Sequence, residues 1–86
     1  MNNLESYIQQ LAQLYQDTEL LMQEVDSGRR AMGTACLEAN RAFGDQDAGS
    51  QLVDTLTEAY VKANHAYGLL DEIGQDIALY VDILKG

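Results

Sequence analysis

The chain has 86 residues, long enough for one small domain and too short for two, and at that size a single core gives only a thin stability margin. Fourteen acidic against five basic side chains give a net charge of -9, so the average surface repels the phosphates of nucleic acids and the headgroups of anionic membranes. The absence of proline and tryptophan, with Phe43 as the only phenylalanine, disfavours a β-rich fold.

The first predicted helix covers about residues 3–42. Steps of four and three residues from Leu4 meet Ile8, Leu11, Tyr15, Thr18, Met22, Val25, Arg29, Met32, Cys36, Ala39 and Phe43, a seam interrupted only by Thr18 and Arg29. Asn2 followed by Glu5 is a capping-box pattern at its start. Beside the seam runs a second apolar row, Tyr7, Leu14 and Leu21. The weak point is Gly28 with Gly33. Two glycines so close predict either a kink near Gly28 or a place where small residues let two backbones approach, opposite Ala59, Ala63 and Ala66.

The turn is expected at about residues 43–46, in the stretch Ala42-Phe43-Gly44-Asp45-Gln46-Asp47-Ala48-Gly49. Gly44 is suited to end the first helix, and Asp45 or Asp47 can cap the second and favour its positive end.

The second predicted helix covers about residues 47–84. The same step gives Leu52, Leu56, Ala59, Ala63, Ala66, Leu70, Ile73, Ile77, Tyr80 and Leu84, all apolar or small. Its second row is Val53, Tyr60, Tyr67 and Val81, with Gly74 in the gap. The expected fold is therefore all-α: a single domain over residues 1–86, an antiparallel coiled-coil-like hairpin on the order of 60 Å long. Two apolar rows per helix exceed what one hairpin covers, which predicts pairing into a four-helix bundle through Tyr7, Leu14, Leu21, Val53, Tyr60, Tyr67 and Val81.

Little in the sequence points to catalysis. His65 stands seven residues after Glu58 and six before Asp71, a spacing that can align an acid and a base, but an exposed histidine without a chemical task is the simpler reading. One cysteine, Cys36, and one histidine supply no zinc-ligand pattern, and the Glu-x-x-His pairs of a di-iron bundle are missing. No enzyme activity, metal or cofactor is expected. Asp26 with Arg30, Glu38 with Arg41 and Glu58 with Lys62 are spaced as ordinary helical ion pairs. The N-terminus lacks a basic, then apolar, secretion signal, and no stretch approaches a membrane span, so neither a cleaved signal nor membrane insertion is expected.

Phe43-Gly44-Asp45 with Gly49, between two long helices in a chain of under a hundred residues, resembles the turn of the small helical-hairpin proteins of bacterial type VII secretion, the WXG or ESX superfamily. The resemblance implies hairpins that pair as homodimers or heterodimers into four-helix bundles, or that accompany the helical domain of a secreted effector, with a cytoplasmic stage before export without a cleaved signal peptide. It also implies a Tyr-x-x-x-acid export motif, whose letters fit Tyr67 and Asp71, here in the middle of the second helix. Two other classes suit a small acidic helical chain: an inhibitor or immunity protein that covers a toxin's basic site, and a small type III secretion chaperone.

Overall fold

The computed structural model describes residues 3–86, so Asn2 and the capping box expected with Glu5 lie outside the described residues. Two helices make up the fold, α1 over Asn3–Phe43 and α2 over Asp47–Lys85, packed side by side as an antiparallel hairpin. Its principal extents are 65 × 16 × 13 Å, the length that about forty residues at ~1.5 Å each require.

α1 runs unbroken through Gly28 and Gly33. Gly33 is not matched by alanines, as the sequence suggested. A methyl group on it would lie 3.3 Å from the ring of Tyr60, so the missing side chain is the seat of a tyrosine from α2. The reverse pair stands further along the rod, where the Tyr15 ring of α1 lies against Gly74 of α2. Between them the guanidinium of Arg29 lies 3.9 Å from the centre of the Tyr67 ring. These three contacts set the register of the two helices.

They also decide which row of α2 faces inward. The expected ladder through Leu52, Ile73 and Tyr80 is displaced by one position. The inner face is Val53, Leu56, Tyr60, Ala63, Tyr67, Leu70, Gly74, Ile77, Val81 and Leu84, all half-buried or buried, whereas Leu52, Ile73 and Tyr80 are exposed. Both ladders share Leu56, Ala63, Leu70, Ile77 and Leu84, so heptad spacing alone does not choose between the rows beside them. The choice falls to Gly33 and Arg29, which receive tyrosines.

On α1 the inner face follows the expected ladder, including its two polar members. Thr18 is the most buried residue, 4% exposed, and its hydroxyl donates to the Leu14 carbonyl at 2.8 Å, so no polar group is left unpaired there. Among the described residues only Thr18, Ala39 and Ile77 are buried, and no large side chain is completely covered. A half-covered side chain contributes roughly half of the ~1.5–3 kcal/mol of a fully buried one. The seam is long but thin.

The turn is tighter than its residues suggested. Gly44 donates its N–H to the Asn40 carbonyl at 3.0 Å, and Gln46 donates to the Phe43 carbonyl at 3.1 Å. Neither Asp45 nor Asp47 caps α2. The N-cap is Gln46, with extended backbone and no side-chain capping bond, and Asp47 sits in the first turn, where its charge suits the helix dipole. A methyl group on Gly49 would run into the Phe43 carbonyl and Cβ, and one on Gly44 would lie 2.5 Å from the Asn40 carbonyl oxygen. The turn closes this tightly because both positions lack a side chain. At the far end Gly86, at φ 89°, donates its N–H to the carbonyls of Asp82 and Ile83.

Candidate partner-binding face

The register gives the rod two unlike sides. Tyr7, Leu11, Leu14 and Tyr80 line one shallow groove of about 240 Å³, which puts the Tyr7–Leu14–Leu21 row of α1 and the Leu52–Ile73–Tyr80 row of α2 on the same side. These six large apolar side chains are each between 43% and 56% exposed. Leu69 and Ile83, one row further round α2, are exposed beside them. Where the rows pass the middle of the rod they carry small residues, Gly28 and Ala35 on α1 and Ala59 and Ala66 on α2. Apart from Leu52 near the turn, the large side chains therefore gather toward the end formed by the start of α1 and the end of α2.

The opposite side is more polar, although Leu37 and Val61, one row beyond it on each helix, are exposed. By the same spacing it carries Glu5, Ala12, Glu19, Asp26, Gly33 and Asn40 from α1, and Ser50, Thr57, Asn64, Asp71, Ala78 and Lys85 from α2. Arg29 reaches out of the seam toward this side. It bonds Asp26 at 2.7 Å through Nη2, lies 3.4 Å from the Asn64 side-chain oxygen through Nη1, and covers Tyr67 with its plane. Asp26 also holds Arg30 at 3.1 Å. The hydrogen bond from Arg29, and then the positive charges of Arg30 and Arg29, hold the Asp26 carboxyl below its ordinary 3.8 against the opposing effect of partial burial. On the seam's other half, the neighbouring Glu19 carboxylate raises the Tyr15 hydroxyl above its ordinary value, by hydrogen bond and by charge.

The residues expected to form a partner interface thus divide. Tyr7, Leu14 and Leu21 stand exposed on one face. Val53, Tyr60, Tyr67 and Val81 are instead half-buried in the hairpin's own seam, because the glycine and arginine of α1 accept the tyrosine rings. Their place on the exposed face is taken by Leu52, Ile73 and Tyr80, which heptad counting had assigned to the seam. The sequence signal for the exchange is the offset between tyrosines and glycines on the two helices, Tyr60 with Gly33 and Tyr15 with Gly74.

The turn residues Phe43, Gly44, Asp45 and Gly49 come together at the tip, with the Phe43 ring about half exposed. Tyr67 and Asp71 lie within α2, Tyr67 beneath Arg29 and Asp71 exposed and accepting a 2.9 Å bond from Gln75. His65 is exposed beside Asn64, Gly68, Leu69 and Glu72, and Glu58 is paired with Lys62 at 3.0 Å rather than turned to His65. Glu38 and Arg41 form no ion pair. Cys36 is half-buried in a wider groove with Arg29, Arg30, Thr34 and Thr57, where both guanidiniums are already taken by Asp26. Among the described residues no three His, Cys, Asp or Glu side chains are grouped to hold a metal ion, and no helix is long and apolar enough to cross a membrane. No protein-family model matches the chain, and neither a curated protein nor a solved structure matches it.

Proposed function

We propose that this chain is a non-enzymatic helical hairpin that works by lying along a helical partner, as a small type VII secretion factor of the WXG or ESX kind. In that role it is either one half of a dimeric secreted factor or the targeting companion of a larger effector's helical domain, and it resides in the bacterial cytoplasm before export. The observation that carries the reading is the one-sided exposure of Tyr7, Leu14, Leu21, Leu52, Ile73 and Tyr80 on a rod in which no large side chain among the described residues is fully buried. Large apolar side chains gathered on one face mark an interaction site far more often than idle surface. The turn of Phe43, Gly44, Asp45 and Gly49 supports the secretion assignment through its resemblance to that superfamily.

The test is export from the native host. A tagged chain, or the effector it accompanies, is expected in the culture medium when the type VII machinery is intact and to stay in the cells when that machinery is inactivated. Unchanged export, or a chain with no helical partner and no effect on any secreted protein, rejects the assignment.

A further inference from the structure

The charge around the exposed face narrows the choice of partner. On α1 the row next to Tyr7, Leu14 and Leu21 carries Gln10, Asp17, Glu24 and Glu38 and no cation. On α2, Lys62 and Asp76 stand in the row of Leu69 and Ile83, with Glu58, His65 and Glu72 in the row beyond. None of Asp17, Glu24, Glu38, Glu72 and Asp76 forms an ion pair. Of the five lysine and arginine side chains, Arg29 and Arg30 are held by Asp26, Lys62 is held by Glu58 and Lys85 belongs to the polar side, which leaves Arg41, near the turn and far along the rod from Asp17 and Asp76. A second copy docking on this face would bring another acidic rim and a second net charge of -9 against the first.

Resting on the partner-binding reading above, we infer that the occupant of the face is a cationic amphipathic helix of another protein rather than a second copy of this chain. Its apolar stripe enters the groove between Tyr7, Leu14 and Tyr80, and lysines or arginines beside that stripe reach Asp17, Glu24 and Asp76. The stretch from Tyr7 to Leu21 is matched by about four helical turns, on the order of 20 Å.

The experiment uses the whole chain and synthetic helices of about 20 residues with leucines at heptad spacing, at roughly 150 mM salt. One helix carries lysine at its polar positions, one carries glutamate, and one has the leucine–lysine composition in scrambled order. The chain alone is expected to sediment as a monomer at tens of micromolar and to bind the ordered lysine helix one to one. Leu14→Gln or Tyr80→Gln is expected to weaken that binding about ten-fold or more, and Asp17→Asn with Glu24→Asn to weaken it and flatten its salt dependence. Circular dichroism checks that each variant, changed only at an exposed position, keeps its helices. A stable homodimer of the chain alone overturns the inference while leaving the partner-binding reading in place, as does equal binding of the glutamate helix. Equal binding of the scrambled peptide overturns the amphipathic requirement, and failure to bind any helix overturns inference and reading together.

Discussion

A methyl group at Gly49 would meet the Phe43 carbonyl and Cβ, backbone-bound atoms that no rotamer change can move aside, whereas one at Gly28 would meet nothing within 4 Å. The same substitution therefore has opposite signs at the two sites. Gly49→Ala is expected to destabilise the hairpin by roughly 1–3 kcal/mol, since the turn must open to admit the atom. Gly28→Ala is expected to stabilise it by about 0.5–1 kcal/mol through helix propensity alone. Urea unfolding followed by circular dichroism at 222 nm reads both. A Gly49→Ala protein as stable as the parent would mean that the turn does not close as tightly as described. The residues around the turn were legible in the sequence as a stop and a restart, because Gly44 is followed by Asp45 and Asp47 in a chain without proline. Which residue caps α2 was not. Asp45 and Asp47 are both better capping residues than Gln46, yet the backbone path set by Gly44 and Gly49 puts Gln46 at the cap position.

Between the two helices, Arg29 decides more than any single apolar residue. Its side chain holds Asp26, approaches Asn64 on α2, and lies over Tyr67, so it ties the helices together with one planar group. A lysine has the charge but not the plane or the fork. Arg29→Lys is expected to cost about 1 kcal/mol and to raise the exposure of Tyr67, read by urea unfolding and by tyrosine near-ultraviolet dichroism. No loss would show that the register is held by the glycine seats alone. The Asp26 carboxyl, held below 3.8 first by its bond to Arg29, gives this cluster a pH signature. Because the folded state lowers that pKa, the stabilisation is present above the unfolded value of 3.8 and is lost as pH falls through the lower folded value. The stability gap between the parent and Asp26→Asn is thus expected to be constant near neutrality and to close below about pH 4. A gap unchanged into strong acid would mean that the ion pairs contribute nothing. Helix number, length and the seam of α1 could be read from heptad spacing. The inner row of α2 could not, because two adjacent rows are equally apolar and the choice depends on pairing Tyr60 with Gly33 and Tyr15 with Gly74, residues far apart in the chain.

For the whole rod, the direction of the exposed face fixes what assembly can look like. The large apolar residues lie on the flank of the hairpin toward its open end, from Tyr7 to Leu21 and from Ile73 to Tyr80, rather than capping its tip. A helix that covers them must lie beside the rod, so the complex becomes thicker without becoming longer. Small-angle scattering separates this from the alternative in which the half-exposed Phe43 end makes the contact. With the leucine–lysine helix bound, the longest dimension is expected to remain near the 65 Å of the free hairpin while the cross-section grows. A contact through the turn would instead lengthen the particle by most of the added helix, about 30 Å for 20 residues. Lateral docking also converts half-exposed side chains into buried ones, so the melting temperature is expected to rise with the concentration of the lysine helix, as binding to the folded state alone requires. Lengthening without thickening would move the working surface from the Tyr7 and Tyr80 groove to the tip, and with it the residues on which recognition depends.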